Sequence, residues 1–125
     1  MGEAIDSGMA EMNLTIPGQL PSLNKLLNMH WAKRMRLNET YIWEIITTIG
    51  RKKELIKKKR TVKIMVYHKT RRFDEDNLHG AIKGIIDALR KTDWIYNDSP
   101  RWLKLDLSQA IDHENPRTEI RIEES

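Results

Sequence analysis

Asp74 and Asp76, inside the stretch "RRFDEDNLHGAIKG" (71–84), are the residues whose type and spacing most suggest chemistry. In extended backbone, side chains two apart point the same way, so the two carboxylates would converge. Converging carboxylates raise each other's pKa unless a cation lies between them. Mg²⁺ suits such a pair, because it takes hard oxygen ligands and keeps waters and substrate phosphate in its shell. The same residues also fit a plainer role, with Asp76 or Asn77 capping a helix and Asp74 pairing with Arg71 or Arg72.

A helix over about 77–91 follows the pair. At about 100° per residue, Lys83 and Asp87 fall within about 20° of Asp76, and Gly80 and Gly84 lie on that side too. Leu78, Ala81, Ile82, Ile85, Ala88 and Leu89 gather opposite and mark the buried face. Each glycine costs the helix roughly 1 kcal/mol against alanine. On a solvated face that cost brings nothing, so the glycines suggest close approach by nucleic acid, a second chain or a neighbouring loop. Lys83 and Asp87 equally fit an i, i+4 ion pair. Asp98, in "YNDSP", suits a turn or cap when taken alone.

The elements that must position these residues are legible in outline. "MNLTIPG" (12–18) alternates and ends at Pro17-Gly18, as a short strand and turn do. Ile42, Ile45, Ile46 and Ile49 predict a helix that starts at Asn38 as N-cap and runs to about Lys57. The stretch before it (21–36) has room for a turn of helix but no clear period. "TVKIMVYHK" (61–69), "RWLKLDLSQAID" (101–112) and "RTEIRIEE" (117–124) read as strands, the last two as a hairpin across "HENP". The order β-α-β-α-β-β implies an α/β (α+β) fold, with one mixed sheet of about four strands and two main helices.

Length and composition narrow the classes. A chain of 125 residues suits one domain, read as 12–125 behind a disordered tail over 1–11. That tail lacks the basic start and apolar run of a secretory signal. Without cysteine, disulfides and thiolate zinc sites are excluded. No run approaches the ~20 apolar residues of a membrane span, so a cytoplasmic protein without a membrane partner is expected. The four histidines show no ligand spacing, and no phosphate loop, dinucleotide fingerprint or nucleophile elbow occurs, so no organic cofactor is expected. Each of the four tryptophans suits core packing or base stacking.

Charge is segregated. Residues 51–72 carry eleven of the 22 Lys/Arg and only one acid, Glu54. Such a block, ending at the aspartate pair, points to nucleic acid or another polyanion, although a solvated helix end and a soluble edge strand also fit it, since lysines at a helix C-terminus complement its dipole.

Together, "RRFDEDNL", "AIKGIIDAL" and "WIYNDS" resemble the RusA family of Holliday-junction resolvases, and "PSLN" (21–24) resembles that family's N-terminal region. The resemblance spans roughly 12–112 and is strongest over 71–99. It implies that Asp74, Asp76 and Asp98 are catalytic and bind metal. The family's lysine falls on Gly80 when counted forward from the aspartate pair and on Lys83 when counted back from "DAL"; Lys83 is the choice. It further implies Mg²⁺, with Mn²⁺ as a possible substitute, a homodimer, and branched DNA such as a four-way junction as substrate in recombination and repair. Lys57, Lys58, Lys59, Arg60, Lys69, Arg71 and Arg72 would grip backbone phosphates. A branched-DNA-binding module without cleavage, using the same basic surface, is the alternative.

Overall fold

The computed structural model describes residues 11–52 and 57–124. The expected tail over 1–10 lies outside them, and Glu11 is already the first residue of a strand. The elements are β1 (Glu11–Pro17), α1 (Leu23–Leu27), α2 (Trp31–Ile49), β2 (Arg60–His68), α3 (Glu75–Lys91), β3 (Leu103–Ile111) and β4 (Arg117–Glu124). They build one mixed four-stranded sheet in the order β1-β4-β2-β3. The α+β class holds, and the short α1 joins the two main helices within the stretch that had room for a turn of helix.

β2 is the strand around which the sheet forms. Val62, Ile64 and Val66 alternate along it and are almost fully buried, as β-branched side chains on one pleated face should be. It pairs parallel with β3, from Arg60↔Leu103 to His68↔Ile111, and antiparallel with β4, for example Ile64↔Ile120. β4 also pairs antiparallel with β1. The expected β3–β4 hairpin is therefore wrong. A parallel pair needs a long crossover, and α3 supplies it between β2 and β3. The chain after β3 then passes the end of β2, where the Asp112 N–H donates to the His68 carbonyl (2.8 Å), and returns on the other side.

Alternate residues of β1, β2 and β4 (Leu14, Ile16, Val62, Ile64, Val66, Ile120, Ile122) join Ile82, Ile85 and Leu89 of α3 and Tyr41 and Ile45 of α2 in one core. On the opposite face Lys63 pairs with Glu123 (3.4 Å) and Arg121 with Glu11 (3.3 Å). A shallow concavity of about 570 Å³ lies across the middle strands there, lined by Lys63, Met65, Asp106 and Arg121 among others. With both signs of charge present, it has no preference for an anion.

α2 starts at Trp31, seven residues before the expected Asn38. The Nδ1 of His30 caps it by accepting from the Ala32 N–H (3.2 Å). The early start was obscure because histidine is an unusual cap. The helix stops at Gly50, not Lys57. Gly50 has φ 77°, a left-handed conformation that glycine adopts without steric cost, and its N–H donates to the Ile45 and Ile46 carbonyls. α3 stops at Thr92, and the Trp94 indole N–H donates to the Gly50 carbonyl (2.7 Å), so the C-terminal ends of α2 and α3 are joined. No helix among the described residues is long and apolar enough to cross a membrane.

Candidate functional site

Asp74 is the N-cap of α3. Its Oδ1 accepts from the Asn77 backbone N–H (2.9 Å), and Asn77 Nδ2 donates to Oδ1 (3.2 Å) and Oδ2 (3.1 Å). These bonds, the backbone one foremost, hold the Asp74 carboxyl below its ordinary pKa and keep it ionised at neutral pH. A carboxylate offers about four lone-pair sites, and Asn77 takes three, so Oδ2 can still accept. Asn77 also receives the Asn24 N–H on its own Oδ1 (3.0 Å), which ties α1 to the start of α3.

Asp76 is exposed in the first turn of α3. Because the helix begins at Glu75, its direction relative to Asp74 follows helical geometry, and the convergence expected of extended backbone does not apply. Acid in this turn also complements the helix dipole. Arg71, Arg72, Phe73, Asp74 and Asn77 line a cleft of about 410 Å³ together with Ser22 and Asn24 of the α1 segment. A carboxylate and two arginines thus share one concave surface.

The loop carrying the arginines is held by a polar cluster that the sequence did not single out. His68 is fully buried. Its Nδ1 lies 3.1 Å from Gln19 Nε2 and its Nε2 lies 2.8 Å from Gln109 Oε1. A protonated Nε2 donating to Gln109 and a bare Nδ1 accepting from Gln19 satisfy both, so the ring is neutral. Gln19 Oε1 accepts the Lys69 N–H (2.6 Å). Gln109 brackets Phe73, accepting its N–H (3.0 Å) and donating to its carbonyl (2.9 Å). The two glutamines come from the segment after β1 and from β3, far from the motif in sequence.

Burial pushes the His68 pKa down, and Arg72 adds to this. The unfolded chain therefore takes up this proton first as pH falls. Stability is full above the ordinary histidine range and is lost as pH drops through it toward the folded-state pKa. The urea midpoint is expected to fall between about pH 7.5 and about pH 5, and less so in His68→Asn. Equal pH profiles for the two would contradict a buried neutral His68.

The other sequence candidates divide between two ends of the molecule. Lys69, Arg71 and Arg72 are exposed at the Asp74 end. Lys57, Lys58 and Lys59 are exposed just before β2, at the opposite end. Nine residues of β2 separate the groups, roughly 25 Å at the rise of a strand. Arg60 is 1% exposed, so its expected role at DNA phosphates is corrected: its side chain belongs to the interior. Asp98 is at the far end as well. Its neighbour Ser99 accepts backbone bonds from Trp102 and Leu103, and the Arg60 N–H donates to the Trp102 carbonyl. Within one chain the three aspartates do not meet, and no group of three or more His, Cys, Asp or Glu among the described residues is arranged to hold a metal.

Lys83 is exposed about two turns along α3 from Asp76. Asp87 pairs with Arg90 at 4.0 Å. The glycines of the stripe are explained by packing. A Cβ on Gly80 would come 2.6 Å from the Leu23 side chain, and one on Gly84 would come 2.6 Å from Asn38 Oδ1 and 3.0 Å from Tyr41. Their side of α3 is covered by α1 and α2. Position 80, the alternative for the family's lysine, has no space for a side chain while Leu23 stays in place.

The family model described as Endodeoxyribonuclease RusA matches residues 20–123, nearly the whole chain. No curated protein matches the sequence.

Proposed function

Because the chain belongs to the RusA endodeoxyribonuclease family, we propose that it is a metal-dependent nuclease that cuts Holliday junctions or similar branched DNA, with each site shared between two subunits. The observation that carries this reading is the cleft that joins Asp74 to Arg71 and Arg72.

The donor set fits a hard divalent cation. Asp74 and Asp76 are exposed carboxylates, Asp74 is held ionised with accepting capacity left, and Mg²⁺ is commonly bound by one or two carboxylates plus substrate phosphate. Asp74 and Asp76 would hold Mg²⁺, with Mn²⁺ as substitute. When bound, the ion supplies an acidified water and neutralises charge at the attacking and leaving oxygens. Arg71 and Arg72 bind the phosphates beside the scissile bond, and Asn77 fixes the Asp74 rotamer and charge. Lys83 offsets negative charge that grows on phosphorus in the transition state.

Asp98 joins this site from a second chain. In a two-fold dimer, surface i meets surface j and surface j meets surface i. A side-by-side antiparallel pair would set the far end of one subunit against the Asp74 end of the other, twice. The partner subunit's Asp98 would then complete the acidic set, and Lys57 to Lys59 would extend the basic surface around it. A junction, itself built with two-fold symmetry, would present two phosphates to two such sites. In this reading residues 12–125 act as one nuclease domain.

A second reading, branched-DNA binding without cleavage, is favoured by one observation: among the described residues of one chain no group of three or more His, Cys, Asp or Glu is arranged to hold a metal. Incubation of the folded protein with a synthetic four-way junction separates the two. Cleavage in Mg²⁺ or Mn²⁺, absent with chelator, is expected. Salt-dependent binding without cleavage in either metal would favour the second reading. Neither binding nor cleavage would sink both.

A further inference from the structure

The first turns of α2 carry large apolar side chains that the core does not use. Trp31 is 68% exposed and Met35 54% exposed. By helical geometry they lie within about 40° of the side that Ile42, Ile45 and Ile49 present to the core. The stripe therefore runs on past the end of the core and emerges into solvent. Leu27, at the end of α1, is exposed as well.

The place of this overhang follows from the packing of the helices. Asn38 and Tyr41 of α2 meet Gly84 of α3, and the two C-terminal ends meet at Gly50 and Trp94. The two helices thus run in the same direction. Trp31, seven residues before Asn38, is about 10 Å further toward the helix N-terminus. That level is the start of α3, where Asp74 and Asp76 lie. α1, only three residues before α2, is bonded there through Asn24 and Asn77.

The turns that carry Trp31 are basic, and the acids at this level are those that begin α3, Asp74, Glu75 and Asp76. Lys33, Arg34 and Arg36 are exposed on the same turns, and no Asp or Glu occurs between Met12 and Asn38. A second copy is a poor occupant, because a two-fold contact here would set like charges against each other. An anionic partner with a flat apolar surface fits. Arg34 and Met35, three and four residues after Trp31, flank the indole on its own side of the helix.

We propose that Trp31, supported by Met35, is a stacking platform for a base left exposed at the branch point of the DNA, and that Lys33, Arg34 and Arg36 hold the flanking phosphates. The proposal rests on the reading of the chain as a protein of branched DNA. A linear duplex offers such faces only at its two ends, whereas an open branch point offers them between its arms. Trp31 would therefore add preference for branched over linear DNA beyond what the placing of phosphates at the two sites supplies.

Fluorescence anisotropy without divalent metal, on a labelled four-way junction and on an unbranched duplex of the same length, tests the proposal. Trp31→Ala is expected to weaken junction binding about tenfold and duplex binding by less than about twofold, since stacking acts only on an accessible base. Trp31→Phe should keep most of the junction affinity. Arg34→Ala should weaken both and flatten the salt dependence. Junction affinity of Trp31→Ala within about twofold of the parent would overturn the proposal. So would an Arg34→Ala variant that binds as the parent does, which keeps the test decisive if Trp31→Ala does not fold. A Trp31→Ala protein that sediments as a monomer where the parent is a dimer would make the stripe a subunit contact and overturn it too. A parent that neither binds nor cuts junctions removes the nuclease reading together with this one. A parent that cuts them while Trp31→Ala binds equally removes this one alone.

Discussion

Asp76→Asn is expected to lower junction cleavage on the order of a thousandfold, the scale of several kcal/mol that a correctly held catalytic metal contributes. Junction binding should be unchanged or tighter, because one negative charge leaves a surface that faces phosphates. The substitution is nearly isosteric and the side chain is exposed on the first turn of α3, so folding should survive. Cleavage by Asp76→Asn at the parent rate would remove Asp76 from the reaction. The split between lost cleavage and kept binding matters most, since a general loss of structure would remove both.

The second large effect is a recovery. Asp76→Asn and Asp98→Asn should each be inactive as homodimers. A heterodimer carrying one of each, purified through two different tags, should regain activity. One of its sites combines both substitutions, while the other combines an intact Asp74 and Asp76 with an intact Asp98 from the partner subunit. Nicking at about half the parent rate per dimer is the expected result. If each site were built within one chain, the heterodimer would be as inactive as its parents. The roughly 25 Å between the two ends of β2 is what makes the shared arrangement the expectation.

Much of this was readable in the chain. The alternation of Val62, Ile64 and Val66 and the apolar face from Leu78 to Leu89 placed β2 and α3 within one or two residues, because periodicity is a local property. The Asp74 cap was half visible: the plain reading named a cap among the motif's polar residues but chose Asp76 or Asn77, and Asp74 holds the position. The start of α2 was missed because its cap is His30, a residue type that does not announce a helix start. Gly80 and Gly84 announced a close approach without saying what approached. Gln19, His68 and Gln109 carried no signal, since one buried histidine and two glutamines share neither spacing nor motif.

By itself, then, the sequence determined the elements of the sheet-and-helix fold, the family and the residues with chemical potential. Those depend on residue type and on short spacings along the chain. The tertiary structure alone decided the neighbourhoods. It put β2 between β3 and β4 through the α3 crossover. It covered the glycine stripe with α1 and α2 and drew Arg60 inside. It also divided one continuous basic block between two ends of a strand, with Arg71 and Arg72 beside Asp74 and Lys57 to Lys59 near Asp98. An extended strand moves its ends apart by more than 3 Å with each residue, so neighbours in a charge run become strangers in space. Whether three aspartates meet is a question about surfaces, and within one chain the length of β2 keeps Asp98 from Asp74 and Asp76.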